Sequence, residues 1–267
     1  MIAALPMYDV AELQAAHDTL WAALAELLSG SGVTDVPRSL TRGVDHRNVW
    51  RDPSLLFGQA CEYPIAKSFG EYLALVATPR YSALGCEAAL YRSAIVVRAH
   101  ESADSLAELR NRRCVINELD SNSGMNLLRA AVAPLAGGAR FFESVRVSGS
   151  HGRSVEMVAA NEADVAAIDC VTFAHLQKFQ SALTGKVRIL CWSPVSPSLP
   201  FVTARVTSKA TFKALRSSLA ALFADTTLRD TRELLLLDGV DLEPDSSLSL
   251  VLRLEREAAG LGYPELR

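Results

Sequence analysis

Apolar residues recur in this chain with two periods, and the change from one period to the other repeats. Near the start the short run "IAALP" is followed by Leu13, Leu20, Leu24 and Leu27 at helical spacing up to Gly30, which predicts a strand, a polar corner and a helix. Asp9 and Glu12, three apart at that corner, predict a capping box. "DVPRSLTR" and "LLFGQACEYPIAKSF" repeat the change, the second around Gly58 and Gln59, while "YLALVATP" and "SAIVVRAH" predict buried strands. From Ser102 the order is helix ("SADSLAELRN"), strand ("RCVIN"), polar turn ("ELDSNSG"), helix ("MNLLRAAVAPL"), strand ("SVRVSGS"), helix ("HGRSVEMVAANE"), strand ("ADVAAID") and helix ("VTFAHLQKFQSAL"). "KVRILCWSPVSPSLPFVTARV" predicts two strands around a Pro/Ser-rich connector, and the pattern from Ser208 to about Gly260 predicts helices. Strands alternating with helices at this spacing call for α/β architecture with mainly parallel sheets flanked by helices.

Two segments look like passages between structural halves, around Ala88 to Arg98 and around Ile189 to Phe201. The expected organisation is therefore a first lobe of residues 1–88 and 195–267 with a second lobe, 89–194, inserted into it. A ligand cleft is expected between them, where α/β proteins place ligands.

Composition narrows the function. The 267 residues are 49% hydrophobic and 21% charged with a formal net charge of −3, a globular profile without the electrostatic footprint of a nucleic-acid binder. The one dense basic run is "ELRNRRC". Five cysteines stand singly inside or beside apolar runs and read as small buried hydrophobes, with no zinc or disulfide pattern. No stretch is long and apolar enough to insert in a membrane, and "MIAALPMYD" lacks the parts of a signal peptide. The chain as written is expected in the cytoplasm, or in the periplasm if a leader was removed before Met1.

The polar corners of the middle segment carry the candidate chemistry. "DSNSG", "SGSHGRS" and "DC" each follow a strand predicted parallel, so Ser121, Ser123, Ser150, His151 and Asp169 are expected at one sheet edge. Hydroxyls, two helix N-termini, a protonatable imidazole and one acceptor suit a tetrahedral oxyanion, the Asp accepting from a protonated ligand oxygen. Each serine has an equally ordinary reading as a helix cap, and His151 as a surface residue. Tyr8, at the end of the first strand, reads as a rim aromatic or as a donor across the cleft. The remaining histidines have no ligand spacing, so no metal site is indicated, and no cofactor motif is present. G-x-S-x-G, P-loop, G-x-G-x-x-G and H-E-x-x-H patterns are all missing.

These phrases together resemble a known family. Between Leu109 and Gln177, "DSNSGMNLLRA", "SVRVSGSHGRS" and "NEADVAAIDC" keep the order and spacing of the phosphonate, phosphite and phosphate solute-binding proteins of ABC importers. "LPMYD", "LLFGQACEYP" and "SPVSPSLPFVTA" extend the likeness more weakly. The resemblance implies a two-lobed periplasmic-binding fold of type II with two crossover strands as hinge, and a non-enzymatic role binding a small oxyanion. In an importer the partner is an ABC permease. It implies ligand contacts by Ser121, Asn122, Ser123 and Gly124 of the S-x-S-G turn, by His151 and Asp169, and by first-lobe residues, Tyr8 and the Phe57-Gly58-Gln59 step. Asn122 replaces the family's hydroxyl with an amide. The alternatives are an enzyme on the same fold acting on a small carboxylate or pyrimidine, and a ligand-sensing domain that acts through a protein partner.

Overall fold

The computed structural model describes residues 1–242 and 248–267. Its strands are β1 (Ile2–Ala4), β2 (Leu55–Gln59), β3 (Leu73–Tyr81), β4 (Leu90–Tyr91), β5 (Ser93–Arg98), β6 (Arg113–Ile116), β7 (Ser144–Val147), β8 (Val165–Asp169), β9 (Val187–Trp192), β10 (Ser196–Pro197), β11 (Phe201–Ala204) and β12 (Leu237–Asp241). The chain forms two compact units: Met1–Ser82 with residues 198–242, and Ala83–Pro197 with Leu248–Arg267. The sequence pattern places residues 195–267 in the first lobe. The last segment instead belongs with the second unit, where helix Leu248–Gly260 packs on helix Leu127–Ala136 and the Arg129 guanidinium donates to the Pro264 carbonyl at 2.8 Å.

In the first unit the sheet order is β1-β2-β11-β3-β12. β1 and β2 are parallel, β11 is antiparallel to both β2 and β3, and β12 is antiparallel to β3. Helices Gln14–Gly30 and Lys209–Ala224 pack together in this unit. The first buries Leu20, Trp21, Leu24 and Leu28, the i, i+3, i+4 face that the pattern anticipates. The Asp9 capping box does not form: Asp9 accepts instead from Arg42 at 2.7 Å and lies 3.2 Å from the His17 ring nitrogen. β12 interrupts the region expected to be helical. Leu236 turns the chain with φ of 57°, and a Cβ on Gly239 would lie 2.3 Å from the Arg80 guanidinium, so a strand with little helical or strand signature of its own is held by β3. The part of the helical expectation over residues 243–247 lies outside the described residues.

In the second unit the sheet order is β7-β6-β8-β5-β9. β6 pairs in parallel with β7 and β8, whereas β5 is antiparallel to β8 and β9. The mostly parallel sheets expected are thus mixed, and one cause recurs in both units. β5 and β11 are the strands that follow each passage between units, and each starts at the carboxyl edge of its neighbour: Ser93 pairs with Asp169, and Phe201 with Gln59. A strand entering from that edge must run against the others. The core of the second unit gathers Val96, Val115, Val155, Val158, Ile168 and Phe173 around β8, which is buried along its whole length as a central strand requires.

Candidate functional site

The carboxyl ends of β6 and β8 carry the polar turns of the second unit. After β6 the chain turns through Asn117 to Ser121, and Ser121 caps the following helix by accepting from the Gly124 N–H at 3.0 Å. That helix opens with a wide π turn, Asn122–Asn126, before continuing as Leu127–Ala136. Gly124 is there for space: an added Cβ would come within 1.8 Å of the Asn117 side-chain oxygen. The turn aims Ser123 at the next element, where its Oγ lies 2.8 Å from His151 Nε2 and 3.5 Å from Ser121 Oγ. His151 is the first residue of helix His151–Ala159, capped by exposed Ser150, which accepts from the Arg153 N–H at 3.2 Å.

Asp169 ends β8 and caps helix Cys170–Phe179, one of its oxygens accepting from the N–H groups of Val171 and Thr172, each at 2.9 Å. Ser93, paired with Asp169 across the sheet, donates to the Ser123 carbonyl at 2.9 Å and so links the two turns. The edge therefore brings together Ser121, Ser123, His151 and Asp169. Asn122 faces the other way. It is 1% exposed, donates to Ser196 Oγ at 2.7 Å and Tyr91 OH at 3.2 Å, and accepts from Asn126 at 2.9 Å. Its amide holds the turn onto β4 and β10.

The imidazole was expected to be protonatable; the structure makes it a neutral group. Burial pushes the His151 pKa down to about 4, opposed only in part by the Ala167 carbonyl, and Nδ1 is buried without a well-formed hydrogen bond. None of the hydrogen bonds of Ser121, Ser123 or His151 involves Lys or Arg. What the edge offers is a set of neutral donors and helix ends, with the Asp169 carboxyl as an acceptor.

In the first unit, Tyr8 is 8% exposed and meets the Tyr81 ring edge-on, with centroids 5.4 Å apart. Gln59 is buried, and its amide nitrogen donates to Tyr81 OH at 2.8 Å and to the Leu199 carbonyl at 3.0 Å. Gly58 lies within the sheet, where a Cβ would approach the Ala4 carbonyl to 3.3 Å. Phe57 stacks on Trp21 and meets the Phe201 ring at a tilt in the core of that unit. A polar cluster of Tyr8, Tyr81 and Gln59 remains at the carboxyl ends of β1, β2 and β3.

Tyr81, Ser93, Tyr91 and Ser196 had no signal in the sequence, because each becomes polar-site support only through a strand pairing that spans many residues. The same holds for Cys86 and Cys170, 84 positions apart, whose sulfurs stand 3.4 Å apart in the second unit.

The family model described as ABC transporter, phosphonate, periplasmic substrate-binding protein matches residues 2–241. No curated protein sequence matches the chain. Among solved structures, a binding protein component of an ABC phosphonate transporter from Pseudomonas aeruginosa is similar at a TM-score of 0.76 and 15% identity, covering 98% of this chain and 87% of that one. PhnD1 from Prochlorococcus marinus in complex with methylphosphonate is similar at 0.72 and 14%, covering 97% of each. A histidine kinase sensor domain with similarity to periplasmic binding proteins reaches 0.58 at 16% identity, covering 91% of this chain and 98% of that one.

Proposed function

The chain belongs to the phosphonate periplasmic substrate-binding proteins of ABC transporters, and from that premise we propose that its second-unit edge binds a small tetrahedral oxyanion of the phosphonate type for delivery to a permease. The observation that carries this is the Ser121–Ser123–His151 relay at the mouth of two helix N-termini. Helix ends and hydroxyls favour negative charge without the desolvation cost of a buried cation. Neutral His151 fixes the Ser123 hydroxyl, and Asp169 accepts from a protonated ligand oxygen, which disfavours a fully ionised or esterified competitor.

The Ser123–His151 contact also invites a nucleophilic reading, and two features speak for binding instead. An imidazole held near 4 is a weak base at neutral pH. Its other nitrogen makes no hydrogen bond to an orienting carboxylate. The likeness to a sensor domain favours one second reading, in which the same binding event is read by a protein partner. Reconstitution with the cognate permease separates them: ligand-dependent ATPase stimulation supports transport, and its absence supports sensing.

The binding claim is tested by thermal shift against methylphosphonate, phosphite, phosphate and sulfate. A ligand present at about 100 times its dissociation constant adds about 2.7 kcal/mol to the native state. Ser123→Asp keeps a helix-compatible polar residue but places a fixed negative charge at the edge, and it is expected to abolish the shift while leaving the protein folded. If none of the phosphorus oxyanions raises the melting temperature, or if Ser123→Asp responds like the wild type, the reading fails.

A further inference from the structure

Between Asp169 and Asp225 the chain contains no carboxylate side chain but seven Lys and Arg residues, in a protein whose net charge is −3. Four of the seven meet in the first unit. Arg205, Lys209, Lys213 and Arg216 line a cleft of about 390 Å³ together with Ala74, Thr207 and Phe212. Lys209, Lys213 and Arg216 recur at i, i+4 and i+7 on helix Lys209–Ala224, so one helix face carries them all.

This arrangement opposes the usual rules of helix charge. The first turn has no acidic residue, and Lys209 sits where the positive end of the helix dipole already stands, with Lys213 one turn further on. Like charges four apart repel by a few tenths of a kcal/mol. Among the described residues none of the four cations forms an ion pair. Arg216 is also held in place: its Nε donates to the Val76 carbonyl at 2.9 Å and its guanidinium lies 4.9 Å from the Phe212 ring centroid. Its two terminal nitrogens make no bond among the described residues, so a planar fork is fixed at the cleft with its donors available.

We propose that this cleft is an anion site separate from the second-unit edge, and that it takes a compact polyphosphate. A concave volume in the range of small-ligand pockets favours a small ligand over an extended surface. Four cations with no ion pair among the described residues match a ligand with several charges on neighbouring phosphates better than a monoanion.

The probe is sodium tripolyphosphate, titrated calorimetrically into the full chain. One equivalent is expected to bind, more weakly as salt rises, and to bind equally in the presence of saturating methylphosphonate. Arg216→Gln loses packing as well as charge, so the diagnostic variant is Lys209→Gln/Lys213→Gln, whose side chains are exposed. It should weaken tripolyphosphate about tenfold or more and leave the methylphosphonate thermal shift unchanged. Absence of binding, or wild-type affinity in the double variant, overturns the proposal. So does competition by methylphosphonate, which would put tripolyphosphate in the second-unit edge. Binding of a poly-glutamate peptide but not of tripolyphosphate, lost in the double variant, would make the cleft a docking face for an acidic protein and also overturn it.

Discussion

His151 shows how far a single side chain departs from its reading in a string. Beside serines and a glycine it looks like a cation waiting for an anion, yet burial holds it neutral with a pKa of about 4. The sign of the consequence is definite. An unfolded chain protonates this residue near 6.5, whereas the folded protein does so only near 4, so between those values the unfolded state takes up the extra proton and stability falls as pH falls. The full effect is about 3 kcal/mol. His17, also lowered by burial although Asp9 acts to raise it, contributes in the same direction. Comparing urea unfolding of wild type and His151→Gln from pH 7 to pH 4 isolates the first: the variant should lose part of the acid slope. Parallel curves would mean that His151 titrates normally in the fold.

At the scale of elements, the sheet of the second unit is tied at the start of β8 by Asp164. Its carboxylate accepts from the Arg113 backbone N–H at 2.8 Å, from the Arg113 side chain at 2.9 and 3.0 Å, and from Arg98 at 3.1 Å, linking β8 to β6 and β5. Burial acts to raise its pKa, but these bonds outweigh it and hold the carboxyl well below the usual range. Removing one partner of such a network leaves buried donors unpaired. Asp164→Ala is expected to cost about 2–3 kcal/mol, less than a fully buried pair because Arg113 is partly exposed. Chemical denaturation measures it, and a loss below about 0.5 kcal/mol, the scale of ordinary surface substitutions, would show the network to be ornamental. Because the folded carboxyl stays ionised to low pH, this stabilisation is present above the ordinary carboxylate range and is lost as pH falls below it.

For the molecule as a whole, the decisive placement is that of the last residues. Tyr263 is fully buried in the second unit, the N–H groups of Phe141 and Phe142 donate to the Arg267 carbonyl at 2.8 and 3.1 Å, and Asn126, four residues from the Asn122 that anchors the turn, donates to the Val251 carbonyl at 3.3 Å. Deleting residues 248–267 should therefore destabilise the second unit more than the first. Hydrogen exchange is expected to rise in Leu127–Ala136 and in the Ser121–Asn126 turn, and methylphosphonate affinity to fall. Protection unchanged in those segments, with loss confined to the first unit, would reverse the assignment.

What the sequence determined alone was whatever depends on neighbours within a few positions. The helix Gln14–Gly30, the strands β3, β5, β6 and β8, and the Ser121 and Ser150 caps all follow from period and turn chemistry. The family phrases survive for the same reason, since spacing between corners is a local quantity. Tertiary structure alone decided the rest. It turned Asn122 away from the edge toward Tyr91 and Ser196, paired Gln59 with Tyr81, neutralised His151, set β5 and β11 against their neighbours and returned the final helix to the second unit. Each of these outcomes is set by desolvation and by partners 22 to more than 100 residues away, and a linear pattern carries neither.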